Sequence, residues 1–154
     1  MKIWGSVMAA AEIIQGEIFR DQRGKIASLN NFRFDGVKRV YFITHPDVTV
    51  IRGWHGHKLE GKWFYCVRGA FRIGLVEIDD WEHPSKDLKP EIVTLTDEES
   101  RIVRVPAGFA SCIKADIPDS TLMVLSGKTL ADAMAVPDSY RFDKDYWFKW
   151  SELK

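Results

Sequence analysis

The chain has 154 residues, room for one domain and too few for two of ordinary size. Hydrophobic residues make up 45% and charged residues 29%, with six Trp, four Tyr and nine Phe, a composition that argues against disorder. Lys plus Arg and Asp plus Glu both total 22, so the formal net charge is +0 and there is no bulk positive charge to hold nucleic acid. No stretch approaches the ~20 apolar residues of a membrane span. The apolar run Val7–Ala11 meets acidic Glu12 at once and is too short for a secretory leader. Cys66 and Cys112 sit within apolar runs and read as buried thiols of a cytoplasmic protein.

Short runs rich in Val, Ile, Phe and Tyr, cut by Gly, Pro, Asp and Asn, predict strands in the following order. They are Glu12–Phe19, Lys25–Asn30, Val37–Thr44, Val48–His57, Lys62–Val67 and Ala70–Asp79, then Glu91–Thr96, Arg101–Val105, Phe109–Lys114 and Thr121–Ser126. Turn signals separate them, among them Asp21-Gln22-Arg23-Gly24, Arg68-Gly69 and Pro106-Ala107-Gly108. Alternation is clear over Phe71, Ile73 and Leu75, with Arg72 on the opposite face. Asp80–Pro90 is polar, carries two prolines and predicts a surface loop. Helix is expected only over Lys128–Met134 and in a short C-terminal helix over Asp143–Leu153, where Trp147 and Trp150 would share a face. Ten short strands in one domain, residues 1–154, predict an all-β sandwich or jelly-roll barrel.

The most informative segment is Arg52-Gly53-Trp54-His55-Gly56-His57-Lys58, followed by Gly61-Lys62-Trp63 and Val67-Arg68-Gly69. On a strand, His55 and His57 point to one face about 7 Å apart. Two of the four histidines fall here; His45 and His83 precede prolines in turns and receive no role.

This segment resembles the first cupin motif, and Pro106-Ala107-Gly108-Phe109-Ala110-Ser111 resembles the second, the likeness running from about Gly16 to Trp147. It implies a cupin double-stranded β-helix. Metal-binding cupins hold their ion with three His and one acidic side chain. Here the acidic position is Lys62 and the third His position is Ser111, leaving His55 and His57. A lysine 4 Å from a cation costs on the order of 4 kcal/mol at an effective dielectric near 20. No metal and no other cofactor is therefore expected, with Glu60 the one further group able to act as a ligand. Two imidazoles among Arg39, Arg52, Lys58 and Lys62 suit a phosphorylated carbon acid, since His exchanges protons near neutral pH and Arg and Lys hold phosphate.

Two metal-independent RmlC-like cupin families have such an arrangement. The 3,4-ketoisomerases of nucleotide-linked 4-keto-6-deoxy sugars are resembled in Asp21-x-Arg23-Gly24-Lys25, Lys38-Arg39-Val40-Tyr41-Phe42, Arg52-Gly-x-His-x-His-Lys58 and Tyr140…Asp145-Tyr146. The dTDP-4-dehydrorhamnose 3,5-epimerases are resembled in Arg52-Gly53-Trp54-His55, Gly61-Lys62-Trp63 and Val105-Pro106-Ala107-Gly108-Phe109-Ala110. The resemblance implies His55 as base, His57 as second imidazole, and Lys62 and Arg52 at substrate oxygen or phosphate. Tyr140 is a candidate proton donor; Arg39, Tyr41, Lys58 and Ser111 are candidate substrate contacts. Strict alternation sets Arg52 opposite His55 unless Gly53 hosts a bulge. The implied activity is C3 proton abstraction from a nucleoside-diphosphate 4-keto-6-deoxy sugar, with dTDP as the nucleotide, giving ketone migration or epimerisation. A homodimer in the cytoplasm, with no nucleic-acid or membrane partner, completes the expectation. A metal-dependent cupin and a non-catalytic sugar-nucleotide binder are the competing readings. Trp54, Trp63, Tyr65 and Phe109 flank the motifs and either stack on a base or fill core and interface.

Overall fold

The computed structural model describes residues 11–153. The apolar run at Val7 therefore lies, apart from Ala11, outside the described residues. Alternating apolar residues in successive short runs pair into strands. These are β1 (Glu12–Gln15), β2 (Glu17–Asp21), β3 (Gly24–Ser28), β4 (Arg39–His45), β5 (Ile51–Gly56) and β6 (Lys62–Arg68). The series continues with β7 (Ala70–Glu77), β8 (Glu91–Thr96), β9 (Arg101–Val105), β10 (Phe109–Ala115), β11 (Ser120–Ser126) and β12 (Tyr140–Arg141). One sheet has the order β1-β9-β6-β11-β4 and the other β12-β5-β10-β7-β8, with every pairing antiparallel; β2 and β3 form a separate hairpin. This is the expected all-β jelly-roll sandwich.

Phe71, Ile73 and Leu75 of β7 turn inward and are buried among Phe64, Leu95, Val103, Leu122 and Val124 from both sheets. Arg72, on the other face, pairs with Asp116 at 2.9 Å. Gly74 lies beneath the Trp54 indole, where a Cβ would come within 2.7 Å of ring carbon Cη2. The expected first strand is broken at Gly16, which packs against the Ser28 and Ser100 carbonyls with no space for a Cβ and donates its N–H to Ser100 at 2.6 Å. Cys66 and Cys112 are buried and unbridged, and burial pushes both thiols up to about 12.

The short helix α1 (Leu130–Ala135) is capped by Thr129, whose hydroxyl accepts the Asp132 N–H at 3.0 Å. The expected helix over Asp143–Leu153 is corrected to a run of turns ending in a single 3-10 turn, Trp150–Glu152. Its aromatics spread along the outer face of the second sheet instead of sharing one helical face. Trp147 and Phe148 pack edge-on against Trp54 at 4.9 and 5.9 Å, and buried Trp150 donates to Cys112 Sγ at 3.1 Å. The loop 80–90 is tied to the same segment: the Tyr146 hydroxyl donates to the Pro84 carbonyl at 2.6 Å and the Trp147 indole N–H to Ser85 at 2.9 Å. Among the described residues no helix is long and apolar enough to cross a membrane.

Candidate active site

Strand β4 is the edge strand of the first sheet and β5 lies one strand in from the edge of the second, and a cavity of about 770 Å³ opens between the residues of the two. Arg39, Tyr41, Arg52, His55, His57, Lys62 and Ser111 all line it. Arg52 reaches it through a bulge. Ser111 and Ile113 of β10, two positions apart, pair with His55 and Arg52 of β5, three positions apart. The extra residue, at Gly53–Trp54, turns Arg52 and His55 to the same side and sends Trp54 into the core behind.

The two imidazoles lie with ring centroids 4.4 Å apart. His57 Nδ1 donates to the Asp138 carbonyl at 2.8 Å, so in the neutral ring the proton sits on Nδ1. Nε2 is left as a buried lone pair with no protein partner. His55 Nε2 is 2.7 Å from Ser139 Oγ. Burial holds the His55 pKa down at about 3, helped by His57, Lys62 and Arg141. Burial, with Lys62, also lowers that of His57, while Glu60 and Asp138 oppose. Both rings are thus neutral at physiological pH, fit for accepting and sharing protons rather than for pairing with an anion.

Arg39, Arg52, Lys62 and Arg141 supply the positive charge in the cavity. Arg39 is held in place by the Lys128 carbonyl at 3.1 Å and lies 5.1 Å over the Tyr41 ring. Glu60 is buried, accepts the Ser126 hydroxyl at 2.5 Å and stands 3.5 Å from Arg39 Nη2. Its other oxygen is 3.9 Å from His57 Nδ1, the nitrogen already committed to Asp138. Glu60 therefore serves the Ser126–Arg39 contacts, and among the described residues no three His, Cys, Asp or Glu side chains converge as a metal site.

Two expected site residues lie elsewhere. Tyr140 pairs with Gly56, so it shares Gly56's outward face, 4.8 Å from Trp81; Lys58 lies 5.0 Å over the Tyr140 ring. Neither lines the cavity. The reason is the two-residue period of β12: Arg141, opposite His55, takes the inward position. Trp54 and Phe109 are buried as packing, and Trp63 stacks edge-on with Phe32 on the outer face of the first sheet. Sequence reasoning missed Asp138, Ser139 and Arg141. The signal for them was thin: Val136-Pro137-Asp138-Ser139 reads as a turn, and nothing local predicts that it returns to β5.

Fold and cavity together define a cupin barrel whose mouth holds two neutral imidazoles among cations. The chain belongs to the family described as "FdtA: WxcM-like, C-terminal", which matches residues 9–145. Among solved structures it is similar to the QdtA 3,4-ketoisomerase of Thermoanaerobacterium thermosaccharolyticum, a double mutant in complex with TDP, at 24% identity. That match covers 92% of this chain and 94% of the other, with a TM-score of 0.68. It is also similar to the rmlC epimerase of Mycobacterium tuberculosis (23% identity, 97% and 78% covered, TM-score 0.72). A third similar structure is the 3'-monoepimerase ChmJ of Streptomyces bikiniensis in complex with dTDP-quinovose (22% identity, 92% and 75% covered, TM-score 0.72). No curated protein sequence matches the chain.

Proposed function

We propose that the protein is an isomerase of a dTDP-linked 4-keto-6-deoxy sugar that moves the ketone from C4 to C3. The carrying observation is the imidazole pair on one wall, both rings lining the cavity. In this reading His57, rather than His55, removes the proton from C3, which the C4 ketone acidifies. The C3–H electron pair becomes the C3–C4 double bond of an enediolate and the carbonyl electrons move to O4. A hydrogen bond from His55 and the charge of Lys62 stabilise that oxygen. His57 returns its proton to C4 on the same face, O3 loses its proton and O4 gains one, so the product is an isomer with the ketone at C3. Arg52 and Arg141 suit the diphosphate, Arg by bidentate contact. That solved relatives of the same fold include a ketoisomerase in complex with TDP supports the choice of substrate.

A second reading, C3 epimerisation, is favoured by Tyr41, which approaches from the β4 wall and so from the side opposite the imidazoles. A proton delivered there inverts C3 instead. The enzyme is further proposed to act as a cytoplasmic homodimer. Val40, Phe42, Phe19 and Ile26 are 52–62% exposed, apolar side chains that a second copy would bury; sedimentation equilibrium returning a monomer would refute this.

The test is incubation with dTDP-4-keto-6-deoxyglucose in deuterated water, followed by NMR of the sugar. The expected product carries its ketone at C3. An inverted C3 with the ketone still at C4 would select epimerisation, and binding without exchange or turnover would refute both. His57→Asn is expected to slow C3 exchange by about 10³-fold and His55→Asn to lower turnover by about 10²-fold, within the span of general acid–base contributions. The reverse order would return the base role to His55.

A further inference from the structure

The segment between α1 and β12 meets the imidazole pair at two successive residues. Asp138 offers its backbone carbonyl to His57 Nδ1, while its carboxylate accepts the N–H of Lys58 at 2.7 Å and of Leu59 at 2.9 Å. These bonds pin residues 138–139 to the end of β5. Ser139, next in line, sets its hydroxyl 2.7 Å from His55 Nε2. Among the described residues that ring nitrogen is the one hydrogen-bond partner of the hydroxyl. An imidazole nitrogen lone pair is a stronger acceptor than a hydroxyl oxygen, so the Ser139 proton points at Nε2. A neutral ring holds one proton, which then resides on Nδ1.

We propose that Ser139 is a positioning residue that fixes His55 as the Nδ1–H tautomer, so that His55 is a hydrogen-bond donor at the site while His57 keeps its acceptor at Nε2. Two chemically identical side chains on one strand face are thereby made unlike by two neighbouring residues of a distant segment. Asp138 sets one through its main chain and Ser139 sets the other through its hydroxyl. The catalytic consequence rests on the function proposed above; the tautomer assignment does not.

The experiment is long-range ¹H–¹⁵N NMR of the full chain labelled with ¹⁵N-histidine, without substrate, near neutral pH. Signals of His55 and His57 are assigned by single His→Asn substitution. Wild-type His55 is expected to show protonated Nδ1 and unprotonated Nε2. In Ser139→Ala the His55 signals should move towards the Nε2–H form or an average of the two, with His57 unchanged, and Ser139→Thr should restore the wild-type pattern. A wild-type His55 already protonated on Nε2 overturns the proposal without any variant, as does a Ser139→Ala spectrum identical to wild type. In the deuterated-water assay, Ser139→Ala is expected to lower kcat about tenfold with KM little changed and Ser139→Thr to recover it. An unchanged kcat overturns the positioning role. Absence of turnover in the wild type would instead sink the isomerase reading, leaving the tautomer question to be decided by the spectra.

Discussion

Asp138 ties the segment that closes the site to the strand that carries the imidazoles, and its removal is calculable. Asp138→Ala deletes two charge-assisted hydrogen bonds, to the N–H groups of Lys58 and Leu59. Such bonds contribute roughly 1.5–3 kcal/mol each. Lys58 and Leu59 are exposed residues, so water replaces part of what is lost and the lower end of the range applies. The expected destabilisation is about 3 kcal/mol. At about 2–4 °C per kcal/mol for a chain of this length, Tm should fall by about 6–12 °C. Asp138→Asn keeps one accepting oxygen and should lose about half as much. Urea denaturation followed by tryptophan fluorescence measures both, since Trp54 is packed in the core. A loss under about 1 kcal/mol for Asp138→Ala would show that the carboxylate does not anchor the segment.

Gly74→Ala drives a methyl group into the Trp54 ring and should cost about 1–3 kcal/mol by overpacking, again read by denaturation. Lys62→Ala should lower kcat for the keto sugar about tenfold and raise KM less, in steady-state assays, because the lysine charge faces the oxygen that becomes negative during the reaction. Stability should fall on acidification below pH ~6.5, the unfolded histidine value. His45, His55 and His57 all titrate lower when folded, so the unfolded chain binds more protons there; each contributes up to about 1.4 kcal/mol per pH unit, and for His55 the window reaches about pH 3. Urea midpoints that stay flat from pH 7 to 5 would contradict this. His45 is fully buried with neither ring nitrogen hydrogen-bonded, close to Arg52 and Lys114, with only Asp47 opposing. His45→Phe removes that unsatisfied group and should raise Tm by a few degrees while reducing the acid slope; a lower Tm would count against the assignment.

The sandwich was legible because its signal is local. The alternation of Phe71, Ile73 and Leu75 and the turn at Arg68-Gly69 each specify their own element, and nearly every expected strand appears within a few residues. The imidazole pair and the lysine beside it were legible for the same reason, since two residues on one strand face need no knowledge of the rest. Gly53 even carried the signal for the bulge that swings Arg52 inward. What escaped is non-local. Tyr140, not Arg141, stands out in a linear reading, and only the pairing of Tyr140 with Gly56 shows that Arg141 is the one that faces in. The helix expected over Asp143–Leu153 failed because Trp147, Phe148 and Trp150 are drawn to separate spots on the second sheet, and tertiary contact outweighs spacing. His45, dismissed as a turn residue, ends β4 inside the core.

The bonds from residues 138 and 139 to the histidines have a consequence for the order of assembly. All the strands of the two main sheets except β12 precede these residues in the chain. Those strands can therefore assemble around the cavity while both rings still exchange freely between their protonation isomers. The two tautomers are then set as a separate event, when one short stretch of chain docks.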